Sequence, residues 1–418
     1  MKNLKQIICS ILLMGMLLVG CDSTNEPAEI EETNDAATEA ETEVVELGDI
    51  KLADLYPVSE TESVIEVTDG ITPYLNIIST NGHLAYGYYN KNYFVDSYIF
   101  VGCEGARLVA ADLNEKVVYN LGISCGGIST YLVYGEKIYY SGGDQRTLSV
   151  FDIRTGVNEV VYTFDYTVGG FIEVTNDGRY ISLTTYACPE ADGMYRATIF
   201  DMEKREIVDI FDYLFEGENP VANHHMICPT DHTKLFFAHE GDTTKVPDRL
   251  WMYEIGKEPY CIVDQQTKVL KNGKVNVVDC CGHEAWSYDG KGLWYVKYGV
   301  SPRGPKGICY IDLSSSDKSV DVKFSSYAYW HTSCSPDGKY VAGDTQEVGP
   351  SKVVLINLAT GEENVLLDNV LWIPGTGLDP HPGFSRNSEM YMFENANSDT
   401  GYTSVGVIRI ADVKWSAQ

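Results

Sequence analysis

Residues 336–344 read PDGKYVAGD, a tight turn followed by a short run typical of a β-strand. The same turn recurs at 176–178 (NDG) and 288–290 (YDG), and short apolar runs return every 8 to 12 residues from about residue 75 onward. Over this region the sequence lacks the 3.6-residue spacing that is typical of amphipathic helices. The pattern predicts an all-β protein.

The predicted strands group into a longer repeat of about forty to fifty residues with four strands each. This is the length of one blade of a β-propeller, a unit that buries its faces only by stacking on its neighbours. We therefore predict a seven-bladed β-propeller over residues 70–418, with units at about 75–122, 123–165, 170–213, 224–264, 281–324, 330–368 and 380–415.

A separate leader precedes the predicted fold. Lys2 and Lys5 stand before an apolar stretch over residues 7–19, and residues 18–21 read LVGC, which is typical of a bacterial lipoprotein signal. We predict that residues 1–21 are a signal peptide, that Cys21 is lipidated, and that the protein is exported and held by its lipid on the extracytoplasmic face of a bacterial membrane. A signal anchor or an ordinary secretory signal is the alternative.

Residues 22–69 are predicted to be a disordered acidic tether that leads into the propeller. Eleven acidic residues and no Lys or Arg fall between residues 22 and 50, and such a run stays solvated and extended. The whole chain has 31 Lys and Arg against 60 Asp and Glu, a net charge of −29. This charge opposes binding to phosphate groups and excludes nucleic acids as expected partners.

Four of the eight histidines share one position in the repeat, seven residues before an equivalent turn residue. They are His225 before His232, His283 before Gly290, His331 before Gly338, and His381 before Ser388. Because the innermost strands of a propeller line its central channel, this spacing predicts a ring of histidines suited to metal binding, proton transfer or substrate contact. Histidines that only pack between blades are the alternative.

Five short motifs follow one another in the second half of the chain: HEG at 239–241, RLW at 249–251, GHEAW at 282–286, YWHTS at 329–333 and DPHPGF at 379–384. Their order and spacing resemble the oligogalacturonate lyases, a family of seven-bladed propellers. The resemblance implies cleavage of short pectic oligogalacturonides by β-elimination to unsaturated uronides. An oligogalacturonide is therefore the implied partner of this chain.

The resemblance also implies a metal site. The family usually holds manganese with one histidine that matches His331, and with a glutamine and two histidines that match Thr376, Asp379 and His381. Two of these four ligands are changed here, and the set of two histidines and a carboxylate suits manganese, calcium or magnesium. Thr376 is a poor ligand, and water, Asn223, His225 or Gln346 are alternatives for its place. Loss of the metal and of activity is a further alternative.

The remaining implied roles are catalytic. His283 matches the base that removes the proton, and Arg249 matches the residue that binds the substrate carboxylate. A cation and a guanidinium suit this reaction because the proton to be removed lies next to a carboxylate whose charge opposes carbanion formation. Substrate contacts are predicted for His239 and His225, with a turn at a strand end as the alternative for His239. For Arg249 the alternative is a surface strand residue that pairs with Glu240.

Three classes of function stay open on the sequence alone. The first is a membrane-tethered, metal-dependent lyase, and the second is a cell-surface propeller that binds uronate sugars without turnover. The third is an interaction scaffold. Retention of His283, Arg249, His331 and His381 together favours the lyase, since a scaffold does not require them.

Overall fold

The structure is a computed structural model. It describes residues 51–59, 62–67, 75–80, 84–87, 92–191, 193–242, 245–265, 268–269, 275–276, 279–345, 350–371, 379–396 and 402–416. The predicted leader with Cys21, the acidic run up to residue 50, and the predicted ligand Thr376 lie outside the described residues.

Seven antiparallel sheets are arranged in a ring, so the predicted seven-bladed β-propeller is confirmed. The chain begins with a helical turn, α1 (Leu52–Leu55), and with β1 (Glu62–Val67) and β2 (Leu75–Thr80). Blades 1 to 3 consist of β3 (Leu84–Ala85), β4 (Ile99–Glu104), β5 (Arg107–Asp112), β6 (Val117–Ser124), β7 (Tyr131–Tyr134), β8 (Lys137–Ser141), β9 (Thr147–Asp152), β10 (Asn158–Thr163), β11 (Phe171–Val174), β12 (Tyr180–Cys188), β13 (Met194–Asp201) and β14 (Glu206–Asp212).

Blades 4 to 6 follow the same order of four strands, with a two-stranded hairpin between blades 4 and 5. Their strands and the hairpin are β15 (Ala222–Cys228), β16 (Asp231–His239), β17 (Leu250–Glu254), β18 (Tyr260–Cys261), β19 (Lys268–Val269), β20 (Val275–Asn276), β21 (Cys281–Trp286), β22 (Gly292–Lys297), β23 (Gly307–Asp312), β24 (Val322–Phe324), β25 (Tyr329–Cys334), β26 (Tyr340–Thr345), β27 (Pro350–Asn357) and β28 (Glu363–Leu371). Blade 7 contains β29 (Gly383–Phe384), β30 (Met390–Ala396) and β31 (Thr403–Arg409).

The ring closes through the N-terminal strands. Strand β2 pairs with β31, placing Leu75 opposite Ile408, and β1 pairs with the outer side of β2. Two predicted boundaries were therefore wrong: the propeller begins before residue 70, and residues 75–80 belong to blade 7 rather than to the first unit. Closure between the two ends of the chain removes the open sheet edges that the first and last blades would otherwise expose.

The strands of a blade differ in burial according to their depth in the ring. In β4 every residue after the first is buried, because both faces of an inner strand pack against neighbouring blades. In β14, an outer strand, exposed and partly buried residues alternate. The first strands of neighbouring blades contact one another, so they surround the centre of the ring and place their side chains there. In the described part of the chain, no helix has the length and apolar character needed to cross a membrane.

The turns that revealed the repeat join the first and second strands of their blades. Gly178, Gly290 and Gly338 have φ of 75°, 68° and 68°, a left-handed conformation that glycine adopts without strain. In each turn the preceding aspartate accepts a hydrogen bond from the backbone N–H two residues later, for example Asp337 from Lys339 at 3.1 Å. The DG pair therefore fixes the turn locally.

Two of these glycines provide a matched pair for a stability measurement. A Cβ on Gly290 would lie 2.0 Å from Thr230 Oγ1 of blade 4, whereas a Cβ on Gly338 would meet no atom within 4 Å. We expect Gly338→Ala to lower the free energy of unfolding by about 1 kcal/mol, through backbone strain alone. Gly290→Ala should lower it by about 3 kcal/mol, because the clash adds to the strain. Equal losses in denaturant unfolding would contradict the packing of blade 4 on blade 5.

Candidate active site

Three of the four predicted histidines meet at the centre of the ring. His283 lies on β21, His331 on β25, and His381 just before β29. Each stands four residues before a serine that opens the following turn. The ring centroids of His283 and His331 are 4.1 Å apart, and those of His331 and His381 are 3.7 Å apart. The predicted register is confirmed for blades 5, 6 and 7.

In blade 4 the predicted register was wrong by one residue. Pairing with the second strand breaks between Asn223 and Met226 in β15, as it breaks between Gly282 and Ala285 in β21. His224 therefore matches His283, and both have left-handed backbone, with φ of 53° and 52°. The hairpin of blade 4 is one residue longer, since Ala222 pairs with His239 where Cys281 pairs with Lys297, and this shifted the count along the sequence.

His225 consequently points away from the other histidines. It is almost fully buried, and its ring packs near Phe211 and Phe237, with centroids at 5.7 and 6.1 Å. Burial lowers the pKa of His225 to about 3, so the ring is neutral at physiological pH. These surroundings give no support to the predicted substrate contact, and blade 4 is two blades away from the His331 side chain.

His331, Asp379 and His381 form a compact group of possible metal ligands. One donor atom from each lies within 4.8 Å of the others. Asp379 bridges the two rings, with Oδ1 2.5 Å from His381 Nδ1 and Oδ2 3.6 Å from His331 Nε2. Three of the four residues selected from the sequence as metal ligands thus lie together, and imidazole nitrogen with carboxylate oxygen suits a divalent cation.

Asp344, at the inner end of β26, holds this group in place. Its carboxylate accepts hydrogen bonds from His331 Nδ1 at 2.8 Å, from His331 N at 2.7 Å and from His381 N at 3.1 Å. Because a carboxylate only accepts, the Nδ1 of His331 carries the proton and Nε2 turns its lone pair toward Asp379. This is the way a second carboxylate usually orients a metal-binding histidine.

The protonation of the group follows from burial and proximity. Burial alone would raise the pKa of Asp379, but the nearby His381 and His331 hold it well below its usual range. Burial likewise opposes charge on His381, yet the Asp379 carboxylate raises the pKa of His381 to about 9. Without a cation, Asp379 and His381 are therefore an ion pair, and a bound cation would take the place of the His381 proton.

His283 is suited to accept a proton. Burial, and next the neighbouring His331, hold the pKa of His283 well below its usual value, so the imidazole is neutral at pH 7. Its Nδ1 contacts the carbonyl oxygen of Trp330. Since a carbonyl only accepts, the proton sits on Nδ1 and Nε2 is the basic nitrogen. The left-handed backbone of His283 costs energy that the surrounding structure must offset, as is common at functional sites.

A charged cluster lies beside His283. The Arg249 guanidinium, 5% exposed, donates from Nε to Glu284 at 2.7 Å and from Nη1 to Glu240 at 3.1 Å. His224 lies between the same two carboxylates, 3.6 Å from Glu284 and 3.7 Å from Glu240. Tyr298 packs against the ring of His283, with the centroids 5.3 Å apart. The guanidinium is thus already neutralised by two carboxylates.

Comparison with known proteins shows which enzymes this chain is similar to. No protein-family model matches the chain. An oligogalacturonide lyase of Pectobacterium atrosepticum is 26% identical over 215 residues, which cover 48% of this chain and 52% of that protein. The chain therefore spans about half the length of the curated relative that it matches. Over that half, the chain is similar to an oligogalacturonide lyase.

Solved oligogalacturonate lyases share the fold. One from Vibrio parahaemolyticus superposes with a TM-score of 0.66 at 17% identity, over 85% of this chain and 98% of its own. A second, in complex with manganese, superposes with a TM-score of 0.65 at 19% identity, over 84% of this chain and 96% of its own. At this identity the two structures show the seven-bladed fold.

The structure brings some of the residues matched to the family together, but not all of them. His283, His331, Asp379 and His381 converge, whereas Thr376 and the alternative ligand Gln346 lie outside the described residues. The two ring nitrogens of His239 contact Asp248 Oδ1 at 2.8 Å and the Asn219 carbonyl oxygen at 2.7 Å. These contacts use both nitrogens and give no support to a substrate role for His239.

Several residues of the site had not been assigned a role from the sequence. Asp344, Glu284 and Trp330 touch the predicted residues directly; Trp330 Nε1 donates to Asp379 Oδ2 at 3.1 Å. Glu284 had a signal in the sequence, because it directly follows His283 in the GHEAW motif. Asp344 had a weaker one, as the only charged residue of its strand β26.

Proposed function

We propose that the chain is a metal-dependent lyase that cleaves short oligogalacturonides by β-elimination. The observation that carries the proposal is the packing of a neutral, partly buried His283 against the group formed by His331, Asp379 and His381. A base beside a cation site is what this reaction requires, because the proton to be removed lies next to a carboxylate. The resemblance to oligogalacturonate lyases names the substrate class.

The residues present fit a divalent cation. His331, Asp379 and His381 would hold it, and manganese is favoured by their mixed nitrogen and oxygen donors and by the manganese complex of a structural relative. When bound, the cation would neutralise the substrate carboxylate and so make the neighbouring proton more acidic. Calcium and magnesium are the alternatives, although both prefer oxygen ligands.

His283 would take the proton from C5 of the galacturonate ring on its Nε2. The electron pair of that C–H bond then forms the C4–C5 double bond, the bond from C4 to the glycosidic oxygen breaks, and the oxygen leaves with its electron pair and is protonated. Trp330 assists by accepting from Nδ1 of His283, which keeps Nε2 directed toward the substrate.

The test is incubation of Mn²⁺-loaded protein with digalacturonate and trigalacturonate, followed by ultraviolet absorbance of the unsaturated product. Absorbance that rises with Mn²⁺ and stops on chelation is the expected result. Binding of trigalacturonate without turnover under any of the three cations would instead favour a uronate-binding propeller, the second function that the sequence left open.

We further propose that the chain is exported and anchored to the extracytoplasmic membrane face through a lipid on Cys21. The lysine, apolar and LVGC segments of residues 1–21 support this proposal. Cys21→Ser should move the protein from the membrane fraction to the soluble exported fraction and remove fatty-acid labelling, since the acyl chains would be lost. Unchanged membrane attachment of the variant would contradict lipidation at this residue.

Asp344 offers a prediction about the metal site alone. In Asp344→Asn the amide keeps the shape but loses the charge that orients His331, so we expect Mn²⁺ affinity to fall by about 10- to 100-fold in calorimetry. Asp337→Asn, in the turn between β25 and β26 of the same blade, is a control that should leave Mn²⁺ affinity unchanged. Equal Mn²⁺ affinity in both variants would contradict the orienting role.

A further inference from the structure

Two buried thiols meet in blade 1, away from the candidate active site. Cys103 lies on β4 and Cys125 directly follows β6, and their Sγ atoms are 3.6 Å apart. Cys103 has no exposed surface, and Cys125 is 2% exposed. The two sulfurs are therefore in direct contact, although the residues are 22 positions apart in the chain.

One hairpin fixes the backbone around both cysteines. A tight turn joins β4 to β5, with Glu104 opposite Arg107, and Cys103 directly precedes this turn. The backbone N–H of Cys125 donates to the carbonyl oxygen of Ala106 within the turn at 2.9 Å. A disulfide bond is about 2.05 Å long, so the sulfurs must approach by about 1.5 Å. Rotation of the two side chains about their Cα–Cβ bonds can supply this movement while the hairpin stays in place.

Cys125 is the thiol better placed to react first. The hydrogen bond from the Cys103 thiol lowers the pKa of Cys125 to about 7, whereas burial acts in the opposite direction. A thiolate is the form that attacks a disulfide, so a substantial share of Cys125 is reactive at neutral pH. Two partly exposed glycines, Gly126 and Gly127, follow Cys125 in the chain. An oxidant therefore reaches Cys125 before it reaches Cys103.

We propose that Cys103 and Cys125 form a disulfide bond when the protein meets a disulfide oxidant. The Cys125 thiolate attacks one sulfur of the oxidant, the S–S bond of the oxidant breaks, and the other sulfur leaves as a thiolate with the electron pair. Cys103 then loses its proton and attacks Cys125 Sγ in the mixed disulfide, and the second sulfur of the oxidant leaves as a thiolate. The two cysteines lose two electrons and two protons, and the oxidant is reduced to two thiols.

The bond ties the β4–β5 hairpin to the link between blades 1 and 2. Cys125 stands between β6, the outer strand of blade 1, and β7, the first strand of blade 2. Such a cross-link usually stabilises a protein, because it restricts the unfolded chain. Disulfides persist in oxidising compartments outside the cytoplasm, in agreement with the proposed export of this chain. The inference does not depend on the lyase function.

The test incubates the purified wild-type protein with oxidised glutathione, stops the exchange with acid, and then unfolds the protein in N-ethylmaleimide. We expect peptide mass spectrometry to find the Cys103 and Cys125 peptides joined, with a mass two hydrogen atoms below the sum of the reduced peptides. The thermal midpoint of the oxidised protein should rise by about 5 °C and return to its starting value with dithiothreitol.

Two serine variants complete the experiment. Cys125→Ser should give no cross-linked peptide and no rise in thermal midpoint on oxidation. Cys188→Ser, whose native sulfur contacts Glu190 Oε2 at 3.3 Å in blade 3, is the matched control and should behave as the wild type does. Alkylation of both Cys103 and Cys125 after oxidation, or glutathione retained on Cys125, would overturn the inference. If Cys125→Ser does not fold, the peptide map of the wild-type protein decides by itself.

Discussion

Replacement of His283 by glutamine should lower turnover of trigalacturonate by about 10²- to 10⁴-fold, the usual cost of losing a positioned base. Glutamine is similar in size and keeps an N–H for the Trp330 carbonyl oxygen, so the fold and the metal content should not change. The decisive measurement pairs initial rates with metal analysis of the same samples. A loss of rate at constant Mn²⁺ content assigns the proton transfer to His283.

The pH dependence of the wild-type enzyme provides a second readout. The base must be neutral to act, and burial together with His331 lowers the pKa of His283 below the ordinary 6.5. The acid limb of the rate profile should therefore lie below pH 6.5, with activity constant as the pH falls from 7.5 to that value.

His232→Gln, in the turn of blade 4, is the matched control for His283→Gln. Wild-type turnover in His283→Gln would refute the mechanism.

Replacement of Arg249 by methionine should destabilise the protein by about 3–5 kcal/mol in denaturant unfolding, because the buried Glu284 would lose the guanidinium and keep His224, 3.6 Å away, as a weaker neighbour. Burial of the guanidinium and its contacts with two carboxylates indicate that Arg249 positions Glu284 next to His283. This differs from the sequence-based expectation, in which Arg249 binds the substrate carboxylate directly.

Two variants distinguish these roles. The double variant Arg249→Met/Glu284→Gln removes both charges, so it should recover much of the lost stability. Arg205→Met breaks an exposed pair with Glu159 and should cost less than about 1 kcal/mol, as surface ion pairs usually do. Wild-type stability together with a raised KM for trigalacturonate in Arg249→Met would instead favour direct contact of Arg249 with the substrate.

The fold could be predicted largely from its turns. A DG pair specifies a left-handed turn through local interactions, and its repetition at 177–178, 289–290 and 337–338 reveals the blade period. Ring closure could not be predicted in this way. Strand β2 carries no local signal that its partner is β31, more than three hundred residues later, so the first unit was started too early.

The predicted site depended on the same repeat. His283, His331 and His381 could be placed together because equivalent positions on neighbouring blades converge at the centre of the ring. His225 was placed wrongly because the hairpin of blade 4 is one residue longer than that of blade 5, so His224 occupies the equivalent position. Equal spacing along the sequence marks equivalent positions in two blades only if their turns have the same length.

By itself the sequence determined the all-β class and the seven blades, because turn chemistry and spacing are local properties. The set of possible metal ligands was implied by the resemblance to the oligogalacturonate lyases. Only the tertiary structure decided which charges meet. Arg249 pairs with Glu284 across two blades, Asp344 accepts hydrogen bonds from His331 and His381, and Trp330 donates to Asp379. Such contacts depend on burial and on side-chain direction, since a carboxylate in water and one inside the ring read identically in sequence but differ in free energy by several kcal/mol, on the order of the cost of an uncompensated buried charge.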